Sequence, residues 1–445
     1  MAFSFTCFIS CRKYLDKQSN SSYVVPGTLN DLQGLMDDGM LMNVHATPSY
    51  GEASSDNYFL PPDTYNSLRE QLQDAYTWVP YDYYASNDWS SGYLPVYNSN
   101  YCLEALSNIP VNPSNQSEWR NVKGSALFFR GYYFLQLAWV YCKAYDENTA
   151  KSDFGIVLRL GSDFNVKSER STVQETYERV LSDVKESVDY LPDLPIHPYR
   201  PSKAAGYGLL ARTYLSMRQY DSALKYSGLC LNIDSTLLDY NDPGINRTGN
   251  VPFQPFNPEI IFYSSMNTFN PTIAPVTSRV DTTLYNSYDS ADFRKTIFTR
   301  LSSGYQRFKG SYSASVSELF SGIATDEMYL TRAECYARTN DIDNALSDLN
   351  TLMRKRWNNI IPYNDITASS SDEALKKILI ERRKELLYRG LRWIDIKRLN
   401  KEGANIILQR NINGNVIRLL PNDNRYALPL PADIIKEAGI QQNPQ

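Results

Sequence analysis

Between Trp78 and Trp89 the chain places Tyr81, Tyr83 and Tyr84 beside Asn87 and Asp88. Flat rings with polar tips, next to amide and carboxylate groups, suit a passive grip on a ligand whose apolar faces are rimmed by hydroxyls. A sugar is such a ligand. A later stretch adds Tyr263, Asn267, Phe269 and Tyr285 as candidate contacts, in a chain that carries 34 Tyr, 17 Phe and 6 Trp. Much of the tyrosine is expected to be helix-packing filler, because Tyr is commonly half-buried.

Bond-breaking chemistry finds less support. There are 2 His, His45 and His197, and the second lies in the loop-like run Pro195-Ile196-His197-Pro198. That scarcity argues against His-based catalysis and against a zinc site. A glycosidase needs two carboxylates facing each other across a cleft, and no motif singles out such a pair. Gly206-Tyr207-Gly208-Leu209-Leu210-Ala211 has the spacing of a dinucleotide loop but no preceding strand, so its glycines read as close-packing positions. Asp341-Ile342-Asp343-Asn344 lacks the glycine and distal Glu of a calcium loop and reads as a helix start. The expectation is a binding protein with no cofactor and no metal.

Formal net charge is -4 with both signs interspersed, so no basic stripe offers itself to nucleic acid. Hydrophobic content of 42% and charged content of 21% allow a large folded core. Of 6 Cys, Cys102, Cys142, Cys230 and Cys335 fall in helix-like apolar stretches and read as buried free thiols. The run Met1 to Cys11 is short and apolar and ends in Ser10-Cys11, like the tail of a lipoprotein signal in which Cys11 would be acylated. It lacks a positive leading region, which places the expected true start upstream. No other segment reaches the roughly 20 apolar residues of a membrane span.

The elements that must hold these groups follow from periodicity. Arg12 to Pro26 reads as a tether, and Leu29 to Met36 as a helix capped by Thr28. Residues 43–64 read as a loop, with helix resuming near Leu94. Lys123 to Tyr145 is nearly all apolar and reads as a buried helix. Thr172 to Leu191 is amphipathic, capped by Ser171 or Thr172 with Glu175. An internal repeat follows: Ala211-Arg212-Thr213-Tyr214-Leu215 matches Ala333-Glu334-Cys335-Tyr336-Ala337, and Tyr220-Asp221-Ser222-Ala223-Leu224 matches Ile342-Asp343-Asn344-Ala345-Leu346 at the same offset. Alanines allow close helix crossings, and Asp221 and Asp343 are expected to cap the second helices. Asn232 to Ser321 interrupts the repeats with poor helical periodicity. Ser371 is expected to cap a helix that Gly390 ends, and Ile406 to Leu420 reads as a hairpin around Asn413-Gly414. The fold expected is mainly α: a tetratricopeptide-like helical repeat scaffold with long irregular loop insertions and a small β-hairpin near the C-terminus. Scaffold is assigned to about 124–231 and 325–400, ligand-facing loops to about 43–100 and 232–321, in one domain spanning 12–445.

Several segments together resemble the SusD/RagB family. Glu381-Arg382-Arg383-Lys384-Glu385-Leu386 through Arg392-Trp393-Ile394-Asp395-Ile396-Lys397-Arg398 is similar to that family's ERRxEL…EGxRWxDLxR signature. Leu428-Pro429-Leu430-Pro431 through Gln442-Asn443-Pro444 resembles its closing motif, and Arg200-Pro201-Ser202-Lys203-Ala204-Ala205 its entry to a repeat. Tyr388 and Arg389 depart from the pattern, where an aromatic and Glu are common. The resemblance implies a lipid-anchored, outward-facing protein of the bacterial outer membrane that captures oligosaccharides and passes them to a SusC-type TonB-dependent transporter. It also implies that Trp89 and Tyr97 can serve as helix anchors, and it admits peptide as an alternative ligand. Glu381, Glu385, Arg389, Arg392, Asp395 and Arg398 recur at helical spacing and are read as a charged lattice locking the C-terminal helices, not as a binding site.

Overall fold

Local sequence chemistry sets most helix boundaries. The computed structural model describes residues 25–83 and 86–445. Thr28 caps α1 (Leu29–Met36) in a reciprocal capping box with Asp31. Asn87 caps α2 (Asp88–Leu106) by accepting the Ser90 N–H, so this helix starts earlier than Leu94. The apolar run becomes α3 (Gln116–Tyr141), buried almost throughout its second half. Thr172 and Glu175 form the capping box of α4 (Val173–Tyr190). The repeats are α5 (Lys203–Ser216) with α6 (Tyr220–Ile233), and α7 (Thr325–Arg338) with α8 (Ile342–Arg356). Here Asp341 is the residue that caps α8, and Asp221 and Asp343 sit inside the first turns. Acidic groups there still complement the helix dipole. Ser370, not Ser371, caps α9 (Ser371–Glu385), and α10 (Arg392–Asn400) follows it.

These helices stack in order, α2 on α3, α3 on α4, α4 on α5, α5 on α6, α6 on α7, and α7 on both α8 and α9. Each buries an apolar stripe on its neighbours, the arrangement of a helical solenoid. At the crossing of α3 and α4 Gly131 leaves no room for a side chain, since a Cβ would meet Val184 Cγ2 at 2.6 Å. Arg130 at the same crossing donates to both carboxylate oxygens of Asp183, each at 2.7 Å.

The charged lattice is real and sealed. Arg356 is fully buried and bridges Glu259 (2.8 Å) and Glu385 (2.7 Å). Arg294 joins Asp292, Glu381 and Glu385; Arg398 joins Glu334 and Asp395; Arg389 pairs with Asp326. Ions buried this way are tolerated only because each has fitted partners, so their value lies in fixing one arrangement of the helices.

The 232–321 insertion is not structureless. It contributes β4 (Ile260–Phe262), β5 (Arg279–Val280), β6 (Thr299–Ser302) and β7 (Tyr305–Phe308) to small antiparallel pairs. β5 pairs with β1 (Tyr58–Phe59) and β4 with β8 (Ile323–Ala324), while β2 (Phe154–Val157) pairs with β3 (Arg170–Thr172). Tyr240, Phe253, Phe298, Phe308, Tyr312 and Phe320 build a second core there, with Tyr58, Tyr76 and Tyr388. Aromatic area replaces helical periodicity as its source of stability. Near the C-terminus β9 (Leu408–Ile412) and β10 (Asn415–Leu419) form the expected hairpin, with Asn413 and Gly414 both at positive φ.

Candidate functional site

The aromatic segment that sequence chemistry singled out folds inward. Trp78 is 3% exposed; its Nε1–H donates to the Ser54 carbonyl at 3.1 Å, and the Arg410 guanidinium lies 5.0 Å from its ring centre. Trp89 is 4% exposed and packs edge-on against Tyr141 at 5.1 Å. Asn87 is consumed as the α2 cap. Asp88 is fully buried and accepts from the Ser49 N–H (2.8 Å), the Tyr50 N–H (2.7 Å) and the Asn267 side-chain amide (2.7 Å). Burial raises its pKa to about 6 against those hydrogen bonds. Tyr263 is buried among Tyr199, Phe256 and Phe320, with its hydroxyl toward Glu318.

Six of the candidate contacts, Trp78, Asn87, Asp88, Trp89, Tyr263 and Asn267, are therefore buried framework in this fold. The reason is tertiary. An indole in a polar loop is indistinguishable by type from one that plugs a core, and only its distant partners decide. The two candidate regions do meet, through Asp88 and Asn267, but as a clasp between loops. Tyr81 and Tyr83 are half-buried, share a hydroxyl contact of 3.2 Å and pack around Tyr50. Phe269 and Tyr285 are half-buried, the latter beneath the Lys295 ammonium. Tyr84 and Cys11 lie outside the described residues.

Exposed rings lie elsewhere. Along α2, Tyr93 and Tyr97 face a loop running from Val157 to Ser168 across a groove of about 670 Å³, whose lining also takes in the buried Trp89. Phe164 is 77% exposed and stacks on Tyr97 at 5.0 Å with an interplanar angle of 21°. The loop is pinned to the helix: Tyr93 Oη donates to the Val157 carbonyl (2.7 Å) and the Asn100 amide to the Arg159 carbonyl (2.8 Å). The groove is thus formed before any ligand arrives, and Ser162, Asn165 and Lys167 supply polar groups along its wall. A hollow of about 850 Å³ between α1, α3 and the end of α4 is lined mainly by Asn30, Gln33, Gln116, Arg120 and Asn121, with one ring, Tyr190. Ring surface therefore favours the first groove. The sequence offered Tyr97 only as a helix anchor and did not single out Phe164, whose only local signal is an isolated Phe in a polar loop.

Among the described residues no cluster of His, Cys, Asp or Glu could hold a metal ion. The four described cysteines are free and buried.

A helical solenoid that holds buried charge in a paired lattice and leaves a ring-lined groove at its surface is a scaffold suited to binding. Two family models cover most of it: one described as starch-binding and associating with the outer membrane matches residues 13–215, and the SusD family model matches 324–445. The chain belongs to the SusD/RagB family, whose members are binding proteins and not enzymes. It is 21% identical to SusD-like protein P2 of Formosa agariphila, over 80% of this chain and 79% of that one. A crystal structure described as a putative sugar binding protein from Bacteroides vulgatus shares the fold with TM-score 0.77 at 20% identity, covering 95% of this chain and 99% of that one. A SusD superfamily protein from Bacteroides thetaiotaomicron gives TM-score 0.76 at 20% identity, covering 94% and 100%.

Proposed function

We propose that this protein captures oligosaccharides at the cell surface and delivers them to a SusC-type TonB-dependent transporter, tethered to the outer membrane through a lipid on Cys11. The observation that carries the glycan reading is the preformed groove along α2, where Tyr97 and the exposed Phe164 offer ring faces above polar wall groups. Its volume of about 670 Å³ lies in the range of roughly 300–1,000 Å³ typical of small-ligand sites. Stacking on sugar C–H faces supplies attraction, and hydroxyls find hydrogen-bond partners in Ser162, Asn165 and Lys167. No bond is broken, so no tuned acid or base is required. Tyr81, Tyr83, Phe269 and Tyr285 remain secondary contacts of the same kind, being only partly buried.

The test is a glycan array with the soluble chain, run beside a peptide library, followed by calorimetry on the strongest hit. Phe164→Ala should weaken glycan binding by about fivefold, from roughly 1 kcal/mol of lost stacking, with melting temperature unchanged. Selective binding of peptides with no glycan response would replace this reading by a peptide-capture role.

A further inference from the structure

The β6–β7 hairpin carries an arrangement that the scaffold does not need. Arg300 and Arg307 are direct cross-strand partners, so their guanidiniums share one face of the hairpin. Ser302 and Tyr305, the pair two positions along, lie on that face as well. Tyr305, 44% exposed, meets Phe59 edge-on at 5.2 Å. Phe59 in turn is the cross-strand partner of Arg279, and β5 packs beside β7. Three arginines and two rings therefore converge on one half-exposed surface.

Like charges directly opposed in a ladder are destabilising, and the buried Arg212, Arg294, Arg356 and Arg398 are each matched to carboxylates. Here none of the three forms an ion pair among the described residues. Arg300 donates to the Asn250 side-chain oxygen, and Arg279 uses Nη1 on the Val276, Thr277 and Ser278 carbonyls. Nε of Arg279 and Nε of Arg307 are both shut off from water with no hydrogen-bond partner among the described residues, a costly state for a charged donor. Partial burial, with Arg300 and Arg279 alongside, pulls Arg307 below the usual arginine value. Among the described residues no carboxylate offsets the positive charge gathered here.

We infer that this surface is a subsite for the anionic group of an acidic saccharide, a carboxylate or a sulfate, with Arg279, Arg300 and Arg307 on the anion and Phe59 and Tyr305 against the sugar ring. A planar guanidinium fork matches carboxylate and sulfate oxygens, and a single bound anion would relieve the repulsion among all three arginines. The inference rests on the glycan reading above but concerns a different surface from the α2 groove, so the two fail separately.

Calorimetric titrations at two salt concentrations would use oligogalacturonides for carboxylate, chondroitin sulfate oligosaccharides for sulfate and maltoheptaose as neutral control. The expected result is salt-sensitive binding of one acidic series, weakened at least tenfold in Arg300→Gln/Arg307→Gln. Because that double variant removes a repulsive pair, its melting temperature should stay level or rise, which a merely structural role for the arginines would not produce. Tyr305→Ala should weaken the same ligand without changing its salt dependence. Failure of both acidic series to bind, or binding indifferent to the double variant, overturns the proposal, whereas the glycan reading survives if Phe164→Ala still weakens a neutral sugar. Arginine-dependent binding to vesicles containing phosphatidylglycerol, without binding to either acidic series, also overturns it and assigns the surface to a membrane.

Discussion

Replacing Asp88 separates a buried clasp from a ligand contact. Its carboxylate accepts the backbone N–H groups of Ser49 and Tyr50 and the Asn267 amide, all at 2.7–2.8 Å and out of contact with water. Asp88→Ala leaves two buried backbone donors without an acceptor. At about 1–3 kcal/mol for each orphaned group the loss of stability is roughly 2–6 kcal/mol, before any gain from loosening of the loops. Asp88→Asn keeps an oxygen for the backbone donors and should lose much less. The two also differ in pH response. Burial lifts the Asp88 pKa from 3.8 to about 6, so the folded state holds a proton that the unfolded chain has released. The stabilisation this gives is fully present below about pH 4 and disappears as pH rises through 6. Wild type should therefore lose on the order of 3 kcal/mol relative to Asp88→Asn across that window. Urea melts at pH 4, 5, 6 and 7 measure both effects, with calorimetry for the glycan at neutral pH. The reasoning is refuted if Asp88→Ala melts like wild type while binding disappears, since that would make Asp88 a ligand contact on an accessible surface.

Arg356→Met leaves the sealed Glu259 carboxylate without its cation and Glu385 with Arg294 alone, and should cost about 3–5 kcal/mol in denaturant titration. Gly131→Ala drives a methyl against Val184 at the α3–α4 crossing, and a loss of about 1–3 kcal/mol is expected in the same assay. Burial pulls the Lys397 pKa from 10.5 down to about 7, while its ammonium donates to the Trp139 and Cys142 carbonyls. The unfolded chain then binds the extra proton, so this contribution is complete above about pH 10 and is lost as pH falls through 7. Lys397→Met should flatten the pH dependence of stability in that interval, as read by melts in alkaline buffers.

The framework was legible in the chain because its signals are local. The Thr172 and Glu175 cap, the Asn413-Gly414 turn and the alanine-bearing repeat each act within one or two turns of backbone, where spacing alone fixes geometry. The lattice was legible as well, because carboxylates and guanidiniums at helical spacing must pair or pay heavily for burial. Which rings face water could not be read. Trp78 is sealed by Ser54 and Arg410, and Trp89 by Tyr141, partners far away along the chain. The start of α2 was misplaced for a related reason: Asn87 can cap a helix or hold a ligand with the same oxygen, and only the folded backbone shows which N–H it meets. The arginine face on β6 and β7 exists only through strand register, since Arg300 and Arg307 become neighbours when Ser303 and Gly304 turn the chain back. Sequence determined the scaffold through short-range periodicity and capping. Tertiary structure alone decided which side chains it exposes, because burial is set by contacts between residues that local spacing does not relate.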